Sequence, residues 1–276
     1  MDSSEADITV IGPESGSVFV ELKELLRYSE LFYFLAKRDI KVRYKQTVLG
    51  GLWAIIQPAF AMIVFSVFFG RMAHMPSDGL PYPLFVYAGL LPWTYFAGAL
   101  SSSGESLVVG SNLITKVYFP RLIAPAAAAL AGLLDLFVAS FLLAAMMLWY
   151  GIYPGPAAFL LPLLAALLFF CALGAGLWLA ALNVQYRDIR YVIPFLIQLW
   201  LFSSPVIYPA SIIPEGYRFL LELNPMTGII KAFRLCLLGG TPDWVSLLVS
   251  AAVTFALLIS GAWYFRRMER TFADVI

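Results

Sequence analysis

The chain has 276 residues, of which 61% are hydrophobic and only 13% carry a charge, and its formal net charge is +1. Soluble domains are about half apolar and about a quarter charged, so this composition argues against a soluble globular protein. A net charge near zero also gives no support for nucleic acid as a partner. The sequence therefore predicts an all-α integral membrane protein.

The first 18 residues are polar and acidic and lack the apolar core of a signal peptide, and we expect a polar cytoplasmic segment over residues 1–30. The pattern from residue 21 to 45 is that of an amphipathic helix that carries too many charges to cross a membrane. Its basic and aromatic residues favour a position in the headgroup layer. The basic residues could receive an anionic lipid-linked substrate, or they could only anchor the helix to anionic lipid.

Six segments with few or no charges follow, and each is long enough to cross the ~30 Å hydrocarbon core as a helix rising ~1.5 Å per residue. They are residues 50–70, 84–104, 122–149, 157–182, 191–209 and 244–265. With this arrangement, 14 of the 18 Lys and Arg residues fall on the side of the two termini. The positive-inside rule therefore places both termini in the cytoplasm.

Two polar features lie inside the predicted spans. Gln57 stands beside Pro58, and since proline frees a backbone carbonyl, we expect this face to meet protein or water and not lipid. Asp135 lies well inside the third span and is a candidate proton site, because acids within a membrane are usually functional. The alternative is a protonated carboxyl bonded to a neighbouring helix, since the sequence shows no basic partner.

Two connecting segments are predicted to carry short helices. Residues 105–121 form a cytoplasmic elbow, in which Asn112 is a plausible helix cap and Pro120 a stop. Residues 210–243 are too charged to cross, yet apolar helical pieces lie on both sides of Asn224 and Pro225. They predict two short re-entrant helices before the last span. An ordinary folded external loop is the alternative.

Motifs for chemistry are missing from the sequence. It has no GxxxxGK[ST], HExxH or GxSxG motif, so we predict no catalytic residues and no nucleotide hydrolysis by this chain alone. His74, Cys171 and Cys236 have no metal-ligand spacing, and we predict no metal site. Aromatic residues make up 16% of the chain and run along the first, second and fifth spans. They suit a glycan path, although residues at the membrane interfaces account for many of them.

Four segments in one order carry a family resemblance. They read RDIKVRYKQTVLGGLWAIIQP, SNLITKVYFPRLIAP, NVQYRDIRYVIPFLIQLWLFSSPVIYP and LNPMTGIIKAFR. Together they resemble the permease subunits of ABC-2 type polysaccharide exporters, both those for O-antigen and, nearly as well, those for teichoic acid. The resemblance implies a transmembrane domain over residues 31–270 and a cytoplasmic tail over residues 271–276.

This resemblance implies a homodimer in the bacterial cytoplasmic membrane that binds two cytoplasmic ATPase subunits. Those subunits would hold ATP and Mg, and the cargo would be a glycan on an undecaprenyl-pyrophosphate carrier. The implied channel residues are Trp53, Gln57, Phe60, Phe195, Trp200 and Tyr208. The residues implied to meet the lipid pyrophosphate are Arg38, Lys41 and Arg43. The implied coupling helix to the ATPase contains Asn112, Lys116, Tyr118, Phe119 and Pro120.

Two alternatives stay open at the level of the sequence. One is another ABC-2 exporter, for teichoic acid, a drug or a small lipid. The other is a proton-coupled secondary flippase that works through Asp135. Secondary transporters usually have more spans and often two related halves, and the sequence shows no internal repeat.

Overall fold

The computed structural model describes residues 28–45, 49–114, 116–117 and 119–275, and its regular structure in these ranges is entirely helical. Five helices in the described chain are long and apolar enough to cross a membrane. The predicted class, an all-α integral membrane protein, is confirmed. The count of six spans is not reproduced, because the fifth predicted span is a shorter helix.

Ten α-helices make up the described chain. In order they are α1 (Ser29–Tyr44), α2 (Trp53–Phe65), α3 (Tyr82–Val109), α4 (Ser111–Ile114), α5 (Ile123–Tyr150), α6 (Leu161–Gln185), α7 (Ile189–Phe202), α8 (Glu215–Glu222), α9 (Pro225–Leu238) and α10 (Trp244–Val275). A 3-10 turn precedes α2 and a π-helical segment follows it, so that the first span covers Gly50–Met72. Further 3-10 turns lie at Pro156–Leu160 and Ala210–Ile212.

Helix α3 is the centre of the fold and packs against α2, α5, α6 and α9. In its most apolar 18-residue window 78% of the residues are buried, compared with 6% in the first span. Lipid gives no hydrophobic drive for helices to associate, so close packing and hydrogen bonds must hold them together. Accordingly, a Cβ added at Gly176 of α6 would lie 2.7 Å from Ser103 Cβ of α3. Asn183 Nδ2 donates to the Gly104 carbonyl at 2.9 Å.

The prediction that residues 191–209, the fifth span, form one continuous helix is wrong. Helix α7 has 14 residues, about 21 Å of helix, and ends at Phe202. The chain then turns through Ser203, Ser204 and Pro205. Proline has no backbone N–H, so it cannot donate a helical hydrogen bond. The described chain therefore has five long spanning helices and one short apolar helix that stops part-way.

Arg234 of α9 holds the turn that follows α7. Its guanidinium is buried and donates to the carbonyls of Phe85 at 3.1 Å, Pro205 at 2.6 Å and Val206. It also lies 3.7 Å from the centroid of the Phe85 ring. The bonds to Pro205 and Val206 give the carbonyls of the turn the donors that a helix would have supplied, and non-helical backbone is tolerated at depth only with such partners.

The two short helices expected around Asn224 and Pro225 are present as α8 and α9. Asn224 caps α9, because its Oδ1 accepts from Met226 N at 3.0 Å. The same oxygen accepts from Trp200 Nε1 at 2.9 Å, and Nδ2 donates to the Ser203 carbonyl at 3.0 Å. The two helices are thus tied to the end of α7. Their re-entrant position in a bilayer stays a prediction.

We predict that Arg234→Leu destabilises the protein strongly, because the buried turn carbonyls of Pro205 and Val206 lose their donor. Breaking such a buried network costs about 3–5 kcal/mol, which would appear as a lower melting temperature of the purified protein in detergent. Arg218→Leu is the matched control, since the side chain of Arg218 is 49% exposed. Equal melting temperatures for the two variants would contradict the role given to Arg234.

Candidate functional site

A partly open cavity of about 590 Å³ lies between the first span and the helices α3 and α5, and we call it the α2 groove. Apolar and small side chains form most of its wall, among them Ala54, Pro58, Ala61, Phe65, Leu90, Ala97, Gly98 and Ala139. Polar groups also reach it, namely Arg43, Tyr44, Gln57, Thr94 and Asp135. An apolar cleft with a few polar groups is the usual form of a site for a small or lipid-like ligand.

The polar groups at the α1 side of the groove form one cluster. Arg43 of α1 donates from Nη1 to Oδ2 of Asp135 on α5, and the Tyr44 hydroxyl donates to Oδ1 of the same carboxylate. Arg43 Nη2 lies 3.4 Å from Ser102 Oγ on α3. The side chains of Arg43 and Asp135 are 32% and 28% exposed, so the ion pair faces the cavity.

Tyr44 is held as a hydrogen-bond donor in this cluster. Burial, and then the hydrogen bond to Asp135, raise the pKa of Tyr44 above its ordinary value. A phenol that stays protonated at neutral pH can donate to the carboxylate, whereas a phenolate would repel it. Tyr44 therefore donates to one oxygen of the carboxylate while Arg43 donates to the other.

The interpretation of Asp135 as an acid without a basic partner is wrong. Asp135 lies 12 residues beyond the first residue of α5, about 18 Å along the helix. Arg43 reaches it because α1 packs against α5, which brings together two residues 92 positions apart. An acid inside a span signals that a partner is needed, but only the packing of α1 shows which residue supplies it.

Of the residues predicted to line a channel, Trp53 and Gln57 line the α2 groove. The proline-bearing face of the first span therefore meets a cavity in the protein, as expected from Gln57 and Pro58. Phe60 and Phe195 are 64% and 60% exposed and lie outside the groove.

The other two predicted channel residues make contacts inside the chain. Trp200 bonds to Asn224 and packs edge-on against Phe96 with the ring centroids 4.9 Å apart. The Tyr208 hydroxyl donates to the Phe202 carbonyl at 3.0 Å. A channel between two copies is not tested by a single chain, so all six assignments stay predictions.

The three basic residues predicted to meet a pyrophosphate occupy different surroundings. Arg38 pairs with its neighbour Asp39 at 2.9 Å and is half-exposed, and Lys41 is exposed. Arg38 and Arg43 also line a second cavity of about 330 Å³ between α1 and the last turns of α3. Of the three, Arg43 alone lines the α2 groove.

The predicted coupling helix over residues 112–120 is shorter than expected, since α4 ends at Ile114. Asn112 and Lys116 are exposed, whereas Phe119 is only 4% exposed and packs in the core shared by α1, α5, α6 and α10. Pro120 is half-buried, and Tyr118 lies outside the described residues. Val117, which the sequence analysis did not single out, is 49% exposed.

The segment after α4 is fixed to the last helix. Arg121 donates from its backbone N to Glu269 Oε1 at 3.3 Å and from Nη1 to the Glu269 carbonyl at 2.5 Å. Its guanidinium also lies 5.9 Å from the centroid of the Phe272 ring. A force on the exposed tip of this segment would therefore reach both α5 and α10.

Comparisons with known proteins match most of this chain to one family and to proteins of that kind. The ABC-2 type transporter family matches residues 30–238. The O-antigen export system permease protein RfbA of Myxococcus xanthus is 29% identical over 259 residues, which cover 92% of this chain and 98% of that protein. An RfbA of Klebsiella pneumoniae is 27% identical and covers 90% and 95%. The polysialic acid transport protein KpsM of Escherichia coli is 27% identical and covers 84% and 91%.

We predict that a cysteine placed at Gln57 reacts with a water-soluble maleimide, because Gln57 is exposed in the groove. The native Cys171 and Cys236 are buried and give little background. Adding Gly98→Trp should slow the labelling about tenfold, since thiol reactivity depends on access. A Cβ at Gly98 meets no atom within 4 Å, and Gly98 lines the groove, so a larger side chain there starts in open space.

Gly216→Trp is the matched control, because Gly216 on α8 also has open space around it and lies outside the groove. Labelling at Gln57 should be as fast in this variant as in the parent. Equal slowing by both tryptophans, or no slowing by Gly98→Trp, would show that the groove is not the path of the reagent.

Proposed function

Because this chain belongs to the ABC-2 type transporter family, we propose that it is the permease subunit of an exporter that moves a lipid-linked polysaccharide across the bacterial cytoplasmic membrane. The relatives matched over most of their length are named for O-antigen export and for polysialic acid transport. The cargo we propose is an O-antigen on undecaprenyl pyrophosphate.

The α2 groove is the single observation that carries this proposal. A lipid-linked glycan has an apolar chain, a diphosphate and a sugar, and the groove offers a surface for each. Its apolar wall suits the chain, Arg43 suits the diphosphate, and Trp53 suits a sugar ring. Arginine binds phosphate oxygens through two parallel hydrogen bonds, which gives position as well as charge. A volume of about 590 Å³ accepts the head of such a lipid but not a polymer.

The polymer itself needs a wider path than one chain provides. The first span has only 6% of its apolar window buried, so one face of α2 is available to a second copy. Two copies would enclose a channel between their first spans and their α7 helices, where Phe60 and Phe195 are exposed. The proposed assembly is therefore a homodimer, with the α2 groove as the lateral access to the channel.

The energy for transport comes, in this proposal, from two cytoplasmic ATPase subunits that hold ATP and Mg. This arrangement needs both termini on the cytoplasmic side, as the positive-inside count predicts, with the elbow after α3 facing the ATPase. The exposed residues Asn112, Lys116 and Val117 are available for that contact. Phe119 acts from the core beneath them, since it packs beside the first turn of α5.

The alternative of a proton-coupled flippase made Asp135 the residue that carries the proton. Its pairing with Arg43 and Tyr44 gives the carboxylate a different use, and no observation on the described chain favours proton drive. Teichoic acid and small-lipid exporters stay alternatives within the family. They differ from the O-antigen exporter in the compound that accumulates when export stops.

Removal of the gene from its host tests the proposal. We expect a lipid-linked glycan to accumulate at the inner face of the cytoplasmic membrane, as measured by mass spectrometry of extracted lipid and by its protection from added glycosidase. The same accumulation should follow inactivation of the ATP site in the partner ATPase. Undiminished glycan at the cell surface in either strain would refute the proposed function.

We predict that Val117→Asp weakens the association with the ATPase. A charge placed on an exposed apolar side chain at a contact should reduce co-purification of the ATPase about tenfold or more. Tyr153→Asp is the control, because Tyr153 is 70% exposed in the turn between α5 and α6. Equal co-purification with both variants, at equal melting temperatures, would contradict the contact.

A further inference from the structure

The ion pair between Arg43 and Asp135 is placed where a ligand can reach it. Both side chains are about one-third exposed, and both line the α2 groove. The pair is therefore neither sealed in a core nor spread on a solvated surface. It also joins the last turn of α1 to the middle of α5, since Arg43 and Tyr44 are the final residues of α1.

Asp135 offers Arg43 the same kind of acceptor that a phosphate does. A guanidinium binds either anion through the same fork of N–H groups. A phosphate that enters the groove must therefore displace Asp135 from Arg43, or else lie next to it and accept the repulsion between two anions at close range. The acid acts as an internal competitor for the site.

Release of the acid has a mechanical consequence at the junction of α1 and the first span. The span begins at Gly50 with a positive φ of 49°, and a Cβ on Gly51 would lie 3.8 Å from Tyr44 Cε1. The cluster therefore sits directly beside the turn into α2. Since the first span is the least buried of the five, few other contacts oppose its movement once α1 is released from α5.

We propose that a phosphate or diphosphate group carried by a lipid displaces Asp135 from Arg43 in the α2 groove, and that this exchange frees the end of α1 from α5. The lipid nature of the ligand rests on the proposed function above, whereas the exchange of one anion for another rests on the ion pair itself. Asp135 is a positioning residue in this scheme, and Arg43 is the residue that contacts the ligand.

Binding to variants gives the first test. The full-length protein in phosphatidylcholine nanodiscs is titrated with a polyprenyl diphosphate. Asp135→Asn removes the competitor and should bind the probe about tenfold more tightly, as expected when an occupied site becomes free. Arg43→Gln should bind it about tenfold more weakly.

Asp188→Asn and Arg187→Gln, which alter exposed charges in the turn before α7, are the matched controls and should bind as the parent does. Weaker binding by both cluster variants would mean a purely structural pair and would overturn the proposal.

Hydrogen exchange gives the second test, measured in the parent protein and in Asp135→Asn. The polyprenyl diphosphate should raise the exchange of backbone amides at the end of α1 in the parent protein, because local opening follows the loss of the cluster. In Asp135→Asn the same amides should exchange quickly without the probe and should gain little from it. A long-range effect of charge on affinity would leave the exchange unchanged. Unchanged exchange in the parent at saturating probe would therefore overturn the proposal even if the affinities shift.

Two further probes identify the part of the ligand that acts. A polyprenol without phosphate should leave the exchange at α1 unchanged, and an equal rise would refute the role of phosphate. Inorganic diphosphate should bind far more weakly than the lipid, and equal binding would refute the lipid source. The proposed function is judged separately by glycan export in cells. If glycan export depends on this chain but hydrogen exchange at α1 does not change with the probe, the displacement of Asp135 is refuted and the proposed function is not.

Discussion

Backbone polar groups and charges within a bilayer must find their partners inside the protein, and the structure of this chain depends on that constraint. Helices satisfy it along their length, so the problem arises only where a helix stops or where a charge lies at depth. Arg234 solves the first case, since it supplies donors to the carbonyls of Phe85, Pro205 and Val206. Arg43 and Tyr44 solve the second case for Asp135.

The two solutions differ in what they allow. The guanidinium of Arg234 is buried among carbonyls and an aromatic ring, so it can only hold the turn after α7 in place. The guanidinium of Arg43 is partly exposed in a groove, and its partner is a partly exposed carboxylate on another helix. The first arginine therefore fixes the break in the fifth span, whereas the second is able to change partners.

This difference connects the fold with the proposed function. The buried helix α3 gives a rigid centre, and the sparsely buried first span lies over the groove as the part best able to move. A permease that admits a lipid from the side needs both properties, since its helix bundle must stay packed while the helix that borders the entry moves. The exposed tip at Val117 and the bonds from Arg121 to α10 offer a separate route by which a partner could act on the same bundle.

The sequence by itself determined the membrane class, the positions of five long helices, and the paired short helices around Asn224 and Pro225. These features follow from local properties, namely runs of apolar residues of spanning length, and proline and asparagine at helix starts. Tertiary structure alone decided that the fifth span stops at Phe202, that Phe119 is buried, and that Asp135 pairs with Arg43. Each of these depends on a residue distant in the chain, such as Arg234 or Arg43, whose position is set by how the helices pack. Periodicity reports which face of a helix is apolar, but it carries no information about which helix that face meets.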